Sequence, residues 1–446
     1  MKFRKETEFQ ETEIGKIPKE WGLAKLEKIA KIITGPFGSQ LKKSELTNHG
    51  IKVYTQENVL ERNFEIGNLY ISEEKFKELK NFEVTPGDVL LTIRGTIGKS
   101  IKVPTGITRG IIHTNLAIIR LEKKEVLPDF VELVFNESEI LMEQVRRIHS
   151  ATTIPALYGR TLKQIKIMLP PLNEQKAITD IFSTVNRAIE LYREEMTRLD
   201  RLKRGLMGEL LTGRIRVREE NGRLSFYRET ELQETEIGEI PRDWKVVKLR
   251  AISTFAKRGK TPKYGNSELL VIKTAHNYPD RIRFEEAPRA SEEFQAKLPK
   301  EFYLRPEDIL VNSTGTGSVG RVGFFKGYHK PCTVDGHITI LRTNQSMAIP
   351  KYVFYYLASH YGQSALLSKA SGSTHQVELY VNEILDLTLP LPSLEEQREI
   401  AEVLSMIDQV IELHSEGITK LERLKRGLMD LLLTGKVRVV DGDVGS

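Results

Sequence analysis

The sequence predicts an α+β protein written twice: two similar globular regions separated by a pair of long helices that join as a coiled coil, in a pseudo-two-fold internal duplication. Three observations predict it. ETEFQETEIGKIPKEW at 6–21 returns as ETELQETEIGEIPRDW at 229–244, with twelve of sixteen residues the same. RLKRGLMGELLTG at 201–213 returns as RLKRGLMDLLLTG at 423–435, with eleven of thirteen the same. The first offset, 223, is half of the 446 residues and the second, 222, is one short of it, so a whole half-unit is repeated; a period this long marks a domain duplication rather than a solenoid.

The long helix of the first half is predicted at 174–211. Apolar or long-stemmed residues alternate at steps of four and three: Ile178, Phe182, Val185, Ile189, Tyr192, Met196, Leu199, Lys203, Leu206 and Leu210. The second half repeats the pattern as Ile400, Leu404, Ile407, Ile411, His414, Ile418, Leu421, Lys425, Leu428 and Leu432. An a/d seam sustained for four heptads is a coiled-coil signal, because a straight helix drifts off a seven-residue repeat. Prolines stop the chain before each helix and Gly213 or Gly435 follows its end. Two matching seams in one chain most simply pair with each other. Lys203 and Lys425 fall in the seam, where their stems can pack while the ammonium snorkels outward. The basic tips around them, Arg201–Arg204 and Arg423–Arg426, are expected to serve subunit docking first, or helix pairing, rather than base reading.

Between the opening motif and the helix each half holds a region of about 145 residues of mixed strands and helices. Runs 52–54, 88–93 and 116–121 read as strands and 128–147 as helix; runs 269–273, 308–312 and 337–342, with a helix at 350–367, hold similar places in the second half. The resulting divisions are 1–168, 169–217, 218–388 and 389–440. Within the third, 218–228, which carries Asn-Gly, reads as a linker between the first long helix and the second opening motif.

Composition narrows the function. There is no apolar run near 18 residues and no apolar core in the N-terminal stretch, so neither a membrane span nor a signal peptide is read. Cys332 is the single cysteine, which excludes an intramolecular disulfide framework and a cysteine-based zinc cluster. A cytoplasmic protein is expected. A net charge of +6 permits nucleic-acid binding only if the cations cluster.

Several catalytic motifs fail on inspection. Gly315, Gly317 and Gly320 spell GxGxxG after a strand, with Asp335 twenty residues on, but another strand-like run follows where a dinucleotide site needs a helix. A glycine-rich hairpin turn is the better reading. Gly98-Lys99-Ser100 and Gly259-Lys260-Thr261 lack the first glycine of a P-loop. No hydrolase, metalloprotease or amino-methyltransferase signature is present, so no catalytic residue and no metal ligand is assigned.

Polar and basic clusters occur instead at matched places in both halves. The hairpin carries Thr92, Arg94, Thr96 and Lys99 in the first half and Asn312, Ser313, Thr314, Thr316, Ser318 and Arg321 in the second. A cluster nearer the start holds Ser39, Gln40, Lys42 and Lys43, against Lys257, Arg258, Lys260 and Lys263. A third precedes the long helix: Thr152 and Thr153, against Thr374, His375 and Gln376. Arg and Asn have the bidentate geometry for guanine and adenine edges, while Lys, Ser and Thr suit phosphates. Matched placement with changed side chains is what two readers of different sequences would show.

The TEIGxIPxxW opening (12–21, 235–244), the LPPLNEQ and LPSLEEQ runs ending at Gln175 and Gln397, and the RLKRGLMxxLLTG exit resemble the specificity subunit of type I restriction–modification systems. The resemblance covers the whole chain. It implies two target-recognition domains, repeated helices paired antiparallel, a bipartite DNA site and no catalytic centre or bound cofactor in this chain. It also implies two modification subunits that bind S-adenosylmethionine, and restriction subunits using ATP and Mg that can join them. Two rival readings use the same modules: an adaptor outside restriction, and a single-chain enzyme that would transfer methyl groups unaided.

Overall fold

The computed structural model describes residues 2–150, 157, 159–372 and 377–440. They form two compact units, Met1–Leu191 with Gly417–Ser446, and Tyr192–Glu416. Each unit therefore takes in half of each long helix.

In the first unit a four-stranded antiparallel sheet runs in the order Ala30–Thr34, Leu116–Leu121, Val89–Thr92, Ser100–Lys102. All of Val89–Thr92 is buried. Alternate residues face two cores: Val89, Leu91, Ala117 and Ile119 pack with Trp21 and Phe130, while Leu90, Leu116 and Ile118 pack with Tyr54 and Val59. Cover on both faces explains the unbroken apolar runs in the sequence. The second unit repeats the order with Ser253–Arg258, Ile338–Thr343, Asp308–Asn312 and Val322–Phe325. A parallel pair lies apart from each sheet, Ile51–Tyr54 with Gly110–Ile112 and Leu270–Ile272 with Cys332–Val334. Matched bidentate ion pairs brace the sheets, Arg120 donating to Asp88 at 2.8 and 2.7 Å and Arg342 to Asp308 at 2.7 and 2.9 Å.

Each helix expected over 128–147 and 350–367 is two: Pro128–Glu137 and Glu139–Ser150, Pro350–Ala358 and His360–Lys369. A serine breaks both. The hydroxyls of Ser138 and Ser359 accept from the amides of Leu141 and Gly362, ending one helix and capping the next. The stretch expected as a linker is a hairpin, Ile215–Glu220 against Arg223–Arg228. Its Asn221 and Gly222 sit at φ +53° and +74°, as a type I′ turn requires. In the first unit the same construction is made by the two ends of the chain, Lys2–Lys5 pairing with Val437–Val440.

The long helices run Leu172–Leu210 and Leu394–Leu432, 39 residues each. They pair antiparallel. In the second unit Tyr192 meets His414 edge-on at 5.0 Å and Lys203 reaches Asp408 at 2.5 Å; in the first, Ile178 and Phe182 share a core with Leu432 and Leu433. Of the expected seam, Ile178, Phe182, Val185, Ile189, Ile400 and Leu404 are buried, whereas Leu199, Leu206, Ile407, Ile411, Leu421 and Leu428 are half-buried. The two seam lysines are ion-paired rather than turned out to solvent: Lys203 takes Asp408, and Lys425, whose facing helix offers no matching acid, takes Glu137 at 2.5 Å.

The repeated motifs meet around a buried guanidinium. Arg438 donates to Glu174 through Nε (2.8 Å) and Nη2 (2.8 Å) and to Glu6 through Nη1 (2.8 Å), and the Trp21 indole donates to the same Glu174 (3.0 Å). In the second unit Arg216 donates to Glu396 (2.5 Å), Glu229 (2.7 Å) and Asp243 (2.9 Å), and Trp244 to Glu396 (3.1 Å). The repeated glutamine beside each glutamate stitches the helix start to the chain ahead of it. Gln175 donates to Glu125 and Pro170 carbonyls, and Gln397 to those of Met347 and Pro392. Gly435 and Gly213, at φ +71° and +72°, press against the Pro18 and Pro241 rings, where a Cβ would come within 2.4 Å.

Arg438→Ala and Arg216→Ala strand Glu174 and Glu396 without a counter-charge, and each should destabilise its unit by about 3–5 kcal/mol in denaturant unfolding. Leu413→Ala, at a side chain 64% exposed, should change stability by less than about 0.5 kcal/mol. Acid should open the same clusters. Burial pushes the Glu6 carboxyl up, but amide hydrogen bonds and Arg438 outweigh it; the Glu231 amide, against burial, likewise lowers Glu229, so both lie below the ordinary 4.5. A carboxylate lowered in the fold stabilises above its unfolded value and loses that contribution as pH falls through the folded one. The clusters' share of stability should therefore fade below about pH 4.5, and Glu6→Gln should flatten that part of a pH–stability curve.

Candidate nucleic-acid interface

In each unit the glycine-rich turn, the chain leaving the first sheet strand and the chain entering the last one are tied together at one sheet end. In the first unit Gly35 N donates to Leu116 O (2.9 Å), Ile93 N to Asn115 O (2.9 Å) and Leu157 N to Ile93 O (2.9 Å). In the second, Gly259 N donates to Ile338 O (2.9 Å), Ser313 N to His337 O (2.8 Å) and Leu379 N to Ser313 O (2.8 Å). The bonds make residues equivalent across the halves: Thr92 N reaches Lys99 O as Asn312 N reaches Arg321 O, so Lys99 and Arg321 occupy one position. By the same pattern Asn115 matches His337. The GxGxxG stretch is the turn of the hairpin Asp308–Asn312 with Val322–Phe325.

Three side chains expected at the surface are inside. Thr92 is buried, and its hydroxyl accepts from Lys99 N (3.0 Å) and donates back to Lys99 O (3.2 Å). Asn312 is buried and gives its amide to Thr274 O (3.2 Å), while Ser313 shares a hydrogen bond with Thr339 at 2.6 Å. They shape the turn from beneath, because the last residue of a strand covered on both faces has no open side.

Others are already engaged. Arg258 is a rivet: it donates to Glu378, to Leu379 O (2.9 Å) and to Ser313 O (3.4 Å), and its hydrogen bond holds the Glu378 carboxyl below the usual range. Lys257 pairs with Glu301 (2.8 Å) and Lys263 with Glu293 (3.3 Å). Lys260 stands 4.8 Å over the Phe302 ring. Thr314 shares a hydrogen bond with His337 (2.7 Å) and the Ser318 hydroxyl donates to Thr314 O (3.3 Å). Gln40 accepts from Phe37 N at 2.9 Å. Burial holds the Asp335 carboxyl above its ordinary range and the His276 imidazole below its own, at the base of this cluster.

The remaining expected residues are open. Arg94, Thr96 and Lys99 are exposed, and none of their side chains has a hydrogen-bond or ion-pair partner among the described residues. Ser39, Lys42, Lys43 and Thr316 are exposed as well. Thr152, Thr153, Thr374, His375 and Gln376 lie outside the described residues. The two ends therefore differ: free cations in the first unit, a braced polar surface in the second. Gln56, whose carboxamide oxygen would lie 3.1 Å from a Cβ on Gly95, and Tyr278, packed against Arg321, also border the turns. Both lie in the chain that follows the parallel strand of their half, Gln56 two residues after it and Tyr278 six.

Other chemistry is sparse. Burial pushes the Cys332 thiol up to about 12, so it is not a thiolate at neutral pH. Among the described residues no group of His, Cys, Asp or Glu could hold a metal ion, and no helix is long and apolar enough to cross a membrane. An open concavity under the 215–228 hairpin, lined by Arg214, Phe226, Tyr227 and Glu239, shares no residue with the loop cluster.

Comparison with known proteins bears on these paired ends. The family described as the type I restriction modification DNA specificity domain matches residues 18–201 and again 241–423, most of the chain. The chain belongs to this family. Its repeated domain matches each half from within the opening motif into the long helix. Among relatives of the type I specificity family, the MjaVIII specificity subunit of a type I restriction enzyme from Methanocaldococcus jannaschii is 28% identical over 452 residues, covering 98% of both chains. The EcoBI specificity subunit from Escherichia coli is 22% identical over 65% of this chain and 62% of its own. The fold is shared with the S subunit of a type I restriction–modification system from M. genitalium, at a TM-score of 0.57 and 14% identity over 92% of this chain and 96% of that one. A second type I system chain, solved for its complex assembly and conformational transition, superposes at 0.53 with 18% identity, over 94% and 99%.

Arg258→Ala should loosen the second loop cluster and lower the thermal transition of its unit, since it removes a half-buried guanidinium that ties three segments. Arg94→Ala, in the first unit, should leave the transition of that unit unmoved, within about 0.5 kcal/mol. Differential scanning calorimetry with limited proteolysis checks both.

Proposed function

We propose that this specificity subunit reads a bipartite, asymmetric DNA site, each unit contacting one half through its loop cluster. The carrying observation is the equivalence of the two sheet ends with changed chemistry: the same hydrogen-bonded frame presents Arg94, Lys99 and Asn115 in one unit and Thr314, Arg321 and His337 in the other. A shared frame with different tips suits two different half-sites. Exposed, unpaired cations suit a polyanion, since no existing ion pair has to break before a phosphate is engaged.

The paired helices act as the spacer. At 39 residues each is about 58 Å long, enough to bridge one to one and a half turns of duplex at about 34 Å per turn. The subunit catalyses nothing itself. It docks two modification subunits, which carry S-adenosylmethionine and methylate adenine, and restriction subunits that use ATP and Mg join the same scaffold in the cytoplasm. With Lys203 and Lys425 held in ion pairs, the exposed arginines of the basic tips, Arg201, Arg204, Arg423 and Arg426, are the residues offered to those partners.

Co-expression with the cognate modification subunits, followed by mapping of methylated adenines, should return two unlike half-sites at a fixed separation. Methyl transfer to DNA by the isolated chain would support the single-chain enzyme instead. Inserting one heptad into both helices, about 10 Å, should lengthen the unread spacer by about three base pairs at about 3.4 Å each; an unchanged spacer would remove the ruler from the account. Arg94→Ala should relax one half-site only, by about 1–3 kcal/mol if it reads a base, and weaken all sequences equally if it holds a phosphate.

A further inference from the structure

The second turn carries a device that its counterpart lacks. The Tyr278 ring takes the guanidinium of Arg321 at 4.4 Å and that of Arg283 at 4.5 Å from its centroid. Arg321 has no carboxylate partner among the described residues; its only side-chain hydrogen bond is a long one, 3.5 Å, to Gly317 O. The loop bearing Tyr278 is fixed rather than merely adjacent. Asn277 gives its amide to Leu310 O (3.0 Å) and to the Asn312 carboxamide (2.9 Å), and Asn312 returns a bond to Thr274 O (3.2 Å). Tyr278 N and Arg283 N are held by Arg281 O and His276 O at 3.1 and 2.9 Å. The backbone that carries the ring is thus tied, through Asn277, to Asn312, the last residue of the strand that opens the turn.

A guanidinium stacked on an aromatic face uses its plane for the stack and keeps its N–H edge free. That edge is the fork that pairs with O6 and N7 of guanine in the major groove. Stacking also removes rotamer freedom in advance, so less is lost when the base is met. At the equivalent position the first unit has Lys99, exposed and unstacked, a point charge suited to a phosphate rather than to a base edge. We propose that Arg321 reads a guanine in the half-site of the second unit, with Tyr278 as the positioning residue that presents it. The inference rests on the DNA-reading function proposed above and names the contact within it.

The test uses the full complex with its modification subunits and a DNA pool in which each position of the methylated site is varied singly. Arg321→Lys keeps the charge and loses the fork. It should reduce discrimination at one G·C pair of the second half-site by roughly 5- to 150-fold and leave the first half-site untouched. Tyr278→Ala should lower discrimination at the same pair, and Tyr278→Phe should restore it, because the ring and not the hydroxyl makes the contact. A uniform loss over all sequences with Arg321→Lys would make Arg321 a phosphate contact and overturn the proposal. So would unchanged discrimination, or a Tyr278→Phe variant as impaired as Tyr278→Ala. A wild-type complex whose methylation ignores the second half-site would refute the DNA-reading function itself, an outcome distinct from these.

Discussion

The fold depends on two buried guanidiniums. Arg438 and Arg216 each sit where an opening motif, the first turn of a long helix and the strand that follows the other long helix converge, and each is surrounded by carboxylates and a tryptophan. Removing a charge from such a place costs far more than an exposed pair gains, because the remaining carboxylate is left desolvated. The arrangement dictates how the chain is divided. Arg438 comes from the C-terminal strand yet completes the first unit, with Glu6 and Trp21 from the opposite end of the sequence. Arg216 follows the first long helix yet completes the second. The repeat in the sequence and the repeat in space are therefore offset by half a helix.

This explains why the repeated motifs are the parts that stay the same. TEIGxIPxxW supplies a hairpin and the tryptophan that donates to the helix glutamate; NEQ and EEQ supply that glutamate and the glutamine that ties the helix start to the chain ahead of it. The LLTG exit ends in a glycine that no side chain could replace without striking a proline ring. Each residue of the frame answers to a partner in the frame. The loop tips have fewer partners in the frame, and like the rest of the region between the repeated motifs they differ between the halves.

Much of this was legible in the sequence because it is local. The 4-3 alternation predicted the long helices, and the apolar runs at 88–93, 116–121, 308–312 and 337–342 predicted the central strands, whereas the stretch with Asn-Gly read as a linker and is a hairpin. The guanidinium clusters were not legible, since Glu6 and Arg438 stand at opposite ends of the chain and nothing in composition links them. Nor was the inside of the loop cluster. Thr92, Asn312 and Ser313 are as polar as Arg94 and Thr96, and only the packing of both sheet faces decides which point inward. Tyr278 was missed for the converse reason: an aromatic beside an arginine has no signature until the fold stacks them.

The central claim is that one frame presents two independent reading surfaces. In both units the variable region is framed by a strand pair, Gly22–Lys25 with Lys166–Leu169 and Lys245–Lys248 with Thr388–Leu391, so the region between can be exchanged without touching either guanidinium cluster. The direct measurement is the methylation site of a complex in which residues 249–387 are replaced by a copy of 26–165. The account predicts a site made of the first half-site twice, in inverted orientation, at the original separation. Retention of the original asymmetric site would contradict it.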